Sequence, residues 1–276
     1  MTRATRRIIF YCAIIVFFAV CYVVLLYAQG YKYSFSDHRF IRTGAIYLKV
    51  NTDATVLLNG KVQKTTSFLT NSAGLDSLLP GAYTVAVQKD GYSSWQKKAE
   101  VQEGFVQDYS RVMILPQVGS DHDTVKQEVR DLLYPPLSSP NPSPNATKTP
   151  KPTPTPVPSP SPTPDLTAAY FVQAGGLYVQ GASGPERIAT NVVKVIPSDD
   201  GQKIAWFTDG QLWVYWLNDT NYQPYHKAGD RLLLNRSAYV VKAAAWFRDN
   251  DHIAFDAGGL KVIELDDRGA PNIISF

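Results

Sequence analysis

Residues Ala54–Lys64 read ATVLLNGKVQK, and this run decides how the middle of the chain is folded. Val56, Leu57 and Leu58 lead into Asn59-Gly60, and Lys61–Lys64 returns. An Asn-Gly pair tolerates the positive φ angles that a type I′ turn demands, and that turn matches the twist of two antiparallel strands. The flanks carry the same signal. Ile46, Leu48 and Val50 alternate with Tyr47 and Lys49, which predicts a strand with one buried face. Downstream, Tyr83, Val85 and Val87 alternate with Thr84, Ala86 and Gln88, and Asp90-Gly91 marks a turn. Glu103-Gly104 breaks the chain again before Phe105–Leu115, and Pro116 closes the unit. Gly44–Pro116 is therefore expected to be a small all-β module of two packed sheets.

Several turn signatures occur here in a recognisable order. Ala54–Gly60 is followed by Leu79-Pro80-Gly81-Ala82-Tyr83-Thr84-Val85, then by Lys89-Asp90-Gly91-Tyr92, Trp95 and a closing Val112–Pro116. This order resembles the PEGA domain. The eponymous motif lacks its glutamate, since Pro80 passes directly to Gly81, and the Thr-Pro after the first hairpin is absent. The resemblance implies a transthyretin-like β-sandwich of surface and envelope proteins, with a cell-wall glycan or an envelope protein as partner. Gly60, Gly81 and Gly91 serve turns that need positive φ. Tyr92 and Trp95 admit two readings: packing at the core or edge, or an aromatic surface for glycan stacking or protein docking.

Toward the amino terminus lies Ile8–Ala28, IIFYCAIIVFFAVCYVVLLYA, with no charge in 21 residues. As a helix it spans ~31 Å, the hydrocarbon thickness of a bilayer. Arg3, Arg6 and Arg7 precede it with no acid among them, whereas Lys32, Arg39 and Arg42 follow it diluted by Asp37. Residues 1–7 are thus expected to be a cytoplasmic tail and 8–28 a transmembrane helix. Residues 29–43 form a juxtamembrane stretch, and everything beyond is extracytoplasmic. Tyr27, Tyr31, Tyr33 and Phe35 suit the outer interfacial belt. Leu26, two places before Ala28, spoils a signal-peptidase site, and Val20 before Cys21 spoils a lipoprotein site. The span reads as an uncleaved signal anchor.

Without the three leading arginines, 24 Lys and Arg face 24 Asp and Glu. A neutral exterior carries no footprint for nucleic acid, so none is expected as a partner. Cys12 and Cys21, the only cysteines, both lie in the span on opposite helix faces and read as small apolar fillers. The exported part therefore holds no disulfide and no thiolate metal site.

Beyond the sandwich, 117–134 contains a short helix, Ser120–Tyr134. Ser120 is the expected N-cap with Asp123 as its capping-box partner, and Val125, Val129, Leu132 and Leu133 form an apolar stripe. That stripe is expected to pack on a neighbouring domain, with dimerisation as the alternative. Pro135-Pro136 ends the helix. A Pro/Ser/Thr-rich linker, 135–164, follows; Ser138–Pro164 has 11 prolines in 27 residues and reads as an extended polyproline II spacer. Asn145-Ala146-Thr147 matches a glycosylation acceptor.

Residues 165–276 repeat a pattern. Asp200-Gly201-Gln202-Lys203-Ile204-Ala205-Trp206 and Asp209-Gly210-Gln211-Leu212-Trp213-Val214 describe strand, Gly turn, strand. The pattern returns at Asp249–Phe255 with Gly258–Val262, and an earlier partial copy is Phe171–Val179. Leu177, Leu212 and Leu260 are equivalent, at spacings of 35 and 48 residues. Pro197–Trp206 resembles the S-P-D-G-x-x-I-A-W/F repeat of TolB-type β-propellers, with Pro and Ser inverted and an extra Asp. That resemblance implies propeller blades, about 2.5 of them against the ~4–8 of a closed ring. The array is thus expected to be incomplete or completed by another copy, with Asn272–Phe276 opening a further blade.

No chemistry emerges. His38, His122, His226 and His252 show no metal-ligand spacing and are expected at the surface. Gly181-Ala182-Ser183-Gly184 is not a nucleophile elbow, and Asp249-Asn250-Asp251 lacks the later ligands of a calcium loop. The acid pairs Asp199-Asp200 and Asp266-Asp267 belong to turns. The expected protein is mainly β: one N-terminal transmembrane helix, a PEGA-like β-sandwich, a Pro-rich linker and a partial β-propeller-like region. It is expected to have no catalytic residue, cofactor or metal, and to bind or sense a cell-envelope glycan or protein, with Tyr92 and Trp95 as candidate surface. The alternatives are a structural surface-layer scaffold that self-associates, or an exported hydrolase.

Overall fold

The computed structural model describes residues 3–136, 169–181 and 183–276. The expected polyproline spacer over 138–164 and the Asn145 acceptor lie outside the described residues. The chain is mainly β and divides into two compact units. Unit 1 comprises Met1–Gly119 with Asn221–Pro224 and Asp266–Asn272; unit 2 comprises Ser120–Thr220, Tyr225–Leu265 and Ile273–Phe276.

Unit 1 opens with α1 (Arg3–Ala28), 26 residues that are long and apolar enough to cross a membrane, none of them buried. The helix starts ahead of the apolar run because nothing in Arg3–Arg7 breaks it. Next comes a hairpin, β1 (Tyr31–Ser34) and β2 (Arg39–Arg42), which the reading of 29–43 as a plain juxtamembrane stretch did not anticipate. Its turn is held by Ser34 Oγ donating to Asp37 Oδ2 at 2.8 Å, with His38 at φ 52°. Phe40 packs edge-on against Tyr27 and Tyr33.

The sandwich is built from β3 (Gly44–Val50), β4 (Thr55–Leu58), β5 (Lys61–Thr65), β6 (Ser72–Leu78), β7 (Gly81–Gln88), β8 (Trp95–Val101) and β9 (Val106–Val112). One sheet runs β6-β3-β9, with β3 antiparallel to β6 and parallel to β9; the other runs β5-β4-β7-β8. Ile46, Leu48 and Val50 from one sheet meet Val56, Val85, Val87 and Trp95 from the other in a single core. Each such side chain contributes ~1.5–3 kcal/mol on leaving water. Asn59 (φ 51°) and Gly60 (φ 76°) form the left-handed turn pair. Asn59 also holds β7, since its Oδ1 accepts the Thr84 N–H at 2.8 Å. Strand β6 was not read from sequence because only Ala73 and Leu75 mark its buried face.

Strand β8 places Lys97 on the same inward row as Trp95, Ala99 and Val101. Its ammonium donates to the Asp266 and Ala270 carbonyls at 2.7 and 3.0 Å, and the Asp266 carboxylate lies at 3.9 Å. The buried cation is therefore hydrogen-bonded rather than stranded.

Unit 2 begins with α2 (Gly119–Leu133). The helix starts at Gly119, so Ser120 sits inside the first turn rather than capping it. Val125, Val129 and Leu133 are buried, but Leu132 is exposed, because one helical face cannot hold two consecutive residues equally. Arg248 Nε donates to Glu128 at 2.9 Å, and the Tyr134 hydroxyl donates to Asp256 at 2.7 Å.

Three separate antiparallel sheets follow, each with strands in chain order. The first holds β10 (Tyr170–Gln173), β11 (Gly176–Gly181) and β12 (Gly184–Ala189). The second holds β13 (Lys194–Pro197), β14 (Lys203–Phe207), β15 (Gln211–Trp216) and β16 (Arg231–Arg236). The third holds β17 (Ala243–Trp246), β18 (His252–Asp256), β19 (Leu260–Glu264) and β20 (Ile273–Ser275). Among the described residues they form no closed barrel or ring. Strand β20 pairs with β19, Ile274 opposite Val262, so Asn272–Phe276 completes the third sheet and opens no further one.

Strand β14 is buried at all five positions. Ile204 and Trp206 enter one core with Leu177 and Val179, while Ala205 and Phe207 enter another with Trp216, Ile253 and Phe255. Both faces of this strand are covered, which is why its sequence is continuously apolar after Lys203. Lys203 Nζ lies 3.2 Å from the Asp251 carboxylate and 5.9 Å from the centre of the Trp246 ring.

Two glycines separate backbone conformation from packing. A Cβ on Gly60 would meet nothing within 4 Å, so Gly60→Ala isolates the positive φ and should cost about 1–2 kcal/mol. A Cβ on Gly44 would lie 2.5 Å from the Gln102 carbonyl oxygen and 2.9 Å from that of Phe105. Gly44→Ala should therefore be the more destabilising change in urea denaturation of the full chain. Equal losses would contradict this packing.

Candidate ligand site

Trp95 is 2% exposed, edge-on to Tyr109 at 5.3 Å between ring centres, and belongs to the sandwich core. No ring face is left for a sugar, so the surface reading of Trp95 gives way to the packing one. Tyr92 is half-buried against the same core, with the Lys89 ammonium 4.7 Å from its ring centre. Neither forms an open aromatic platform.

The histidines divide by environment. His38 sits in the exposed β1–β2 turn, and His122 faces Phe276 at 5.6 Å. His226 stacks on Trp216 at 3.7 Å. His252 corrects the expectation of a surface residue: it is buried, with Nδ1 3.0 Å from both Asp249 carboxylate oxygens. Burial alone would raise the Asp249 carboxyl. Hydrogen bonding to His252, the imidazole charge and the N–H groups of Asp251 and His252 outweigh it and leave the group below its ordinary 3.8. Asp249 and Asp251 are thus occupied in holding the chain. Among the described residues no group of three or more His, Cys, Asp or Glu could hold a metal.

A cleft in unit 2 lies where β14, β15 and β16 meet the end of β12 and the residue after it. Its volume is about 200 Å³, and Trp206, Trp213, Thr208, Gln211 and Arg231 line it with Ile188–Thr190. Trp206 and Trp213 are cross-strand partners whose rings lie 5.9 Å apart and within 3° of parallel. Trp213 Nε1 donates to Gln211 Oε1 at 3.0 Å, which fixes that indole. Trp206 is 2% exposed, and its buried Nε1 has no hydrogen-bond partner. The cleft continues past Thr190, Thr208 and Gln211 into a shallower depression reaching Asn191, Arg236 and Ser237.

The placement of both arginines depends on a bulge. Strict alternation would put Arg231 and Arg236, five residues apart, on opposite faces of β16. The register shifts opposite Leu212/Trp213, so Arg231 pairs with Tyr215, Leu233 with Trp213 and Arg236 with Gln211. One extra residue thus returns both guanidiniums to the face that carries Trp206 and Trp213. A matching shift occurs between β11 and β12 at Leu177/Tyr178.

Sequence reasoning used Trp206 and Trp213 only as marks of the repeat. The available signal was the pair of tryptophans either side of the Asp209-Gly210 turn; the bulge had none. No family model and no curated protein matches the chain.

Two outcomes follow. Trp95→Ala should cost about 3–5 kcal/mol in denaturant titration, as for other large aromatic core truncations; a neutral change would return Trp95 to the surface. Asp249 titrates lower folded than unfolded, so its contribution is present above about 3.8 and is lost as pH falls through the depressed value. Asp249→Asn should flatten the fall in stability below pH 4, and an unchanged acid limb would contradict the pairing with His252.

Proposed function

We propose that this chain is a single-pass membrane protein whose β units, outside the bilayer, hold or sense a cell-envelope component without covalent chemistry. The observation that carries the reading is α1: its uncharged apolar run, Ile8–Ala28, follows Arg3, Arg6 and Arg7, and no residue of the helix is buried. Such a helix satisfies its own backbone groups in hydrocarbon, and the dense positive flank keeps the amino terminus cytoplasmic. Unit 1 is read as a PEGA-type sandwich, supported by its two sheets and the Asn59-Gly60 turn. Unit 2 is read as TolB-like propeller blades, supported by consecutive antiparallel meanders and the repeated bulge.

A scaffold that docks envelope proteins is favoured by one observation in unit 1. Phe68 and Leu69 are adjacent and 90% and 87% exposed. Apolar side chains so placed are typical of contact surfaces.

The only cysteines lie in the span, so orientation can be read with single introduced thiols. A membrane-impermeant maleimide should label Ser67→Cys on intact cells and Ala4→Cys only after permeabilisation. The reverse pattern would overturn the orientation, and labelling of both in intact cells would overturn the anchor.

A further inference from the structure

Among the described residues, the Trp206–Trp213 cleft leaves the Trp206 indole N–H buried without an acceptor, as the imidazole edge of His252 is left at its Nε2. A buried N–H without an acceptor costs about 1–3 kcal/mol, and native interiors keep few of them. Elsewhere the same group is satisfied: Trp246 Nε1 donates to the Ile196 carbonyl at 3.2 Å, and Trp213 Nε1 to Gln211. Trp206 Nε1 therefore awaits an acceptor that arrives from outside the chain.

The surroundings restrict what that acceptor belongs to. Trp213, half-buried at the cleft wall and backed by the parallel indole of Trp206, offers flat apolar contact, which suits the C–H face of a sugar ring or another flat group. At about 200 Å³ the cleft is smaller than the ~300–1,000 Å³ of drug-sized sites, so it takes one ring at a time. The shallower depression beyond Gln211 allows the ligand to continue as a chain. Thr190 and Thr208 add hydroxyls of the sort that orient sugar hydroxyl groups.

Charge completes the selection. Arg231 Nη1 donates to the Ile188 carbonyl at 3.3 Å, which seats the side chain at the cleft wall while leaving most of its fork for a ligand. Arg236 is exposed and lies on the same face, cross-strand from Gln211. The two are separated along β16 by on the order of 15 Å, so they address successive groups of one chain rather than a single anion. Glu186 acts on the Tyr215 phenol, which burial and that carboxylate together push up, so the Arg231 end also feels an acid. The guanidiniums still outnumber it on this face.

We propose that the Trp206–Trp213 cleft binds a uronate-bearing glycan. One pyranose ring packs on the Trp213 indole, an oxygen accepts from Trp206 Nε1–H, and carboxylates of successive sugars meet Arg231 and Arg236. Bidentate pairing of guanidinium with carboxylate supplies orientation as well as affinity. This rests on the reading of the chain as a noncovalent envelope binder and names the ligand class of that role.

The test is calorimetric titration of the full chain in nanodiscs with tri-galacturonate, and with its fully methyl-esterified form as the uncharged counterpart. Tri-galacturonate should bind at least tenfold more tightly than the ester. Arg231→Gln and Arg236→Gln should each weaken it about tenfold, the effect of losing one charge-assisted hydrogen bond. Arg236 is exposed with no partner among the described residues, so its variant should melt like the parent and report on binding alone. Equal affinity for both sugars would overturn the charge selection. Tri-galacturonate binding unchanged in both variants would move the site elsewhere and leave the envelope-binding role standing. Absence of any uronate binding would overturn the inference, while the thiol-labelling result decides independently whether the chain is an exported membrane protein.

Discussion

Side chains on a β-strand point alternately to opposite faces, and both units depend on what covers each face. In unit 1 one face of each sheet is covered by the other sheet, so β8 alternates strictly between buried and exposed residues and β3 does so from Ile46 onward. In unit 2 the middle sheet is covered twice. Strand β14 sends Ile204 and Trp206 one way and Ala205 and Phe207 the other, so neighbouring sheets are tied together through a single strand. The cleft arises on one of these faces, where the large indole of Trp206 is enclosed but not hydrogen-bonded.

Where burial follows alternation or a defined turn, the sequence was readable. The Asn59-Gly60 hairpin, the inward row of β3 and the paired strands around Asp209-Gly210 all carry their own local signal. Other features were hidden because their cause is not local. Strand β6 is defined by pairing with β3 and fills its buried face with only Ala73 and Leu75. Lys97 and His252 look like surface residues until their partners, the Asp266 and Ala270 carbonyls and the Asp249 carboxylate, are brought to them. The bulge that aligns Arg231 with Arg236 is a property of strand register, which no residue type in β16 announces.

This division explains why the candidate site moved. Tyr92 and Trp95 carry the aromatic signal in unit 1, but a small sandwich of two sheets needs its largest side chains inside. Unit 2 has more covered faces and can leave Trp213 half-buried at a cleft wall. Under the proposed reading, membrane attachment and ligand contact are separate tasks: helix α1 serves the first, and a sheet face with aligned arginines serves the second.

The most direct measurement is the indole N–H resonance of Trp206, followed by nitrogen-edited NMR of the full chain in nanodiscs as tri-galacturonate is added. The account predicts that this resonance shifts downfield as its N–H gains an acceptor. The Trp246 indole, already bonded to the Ile196 carbonyl, should stay in place as an internal control. A saturating titration that leaves Trp206 unmoved while the ligand binds would contradict the account.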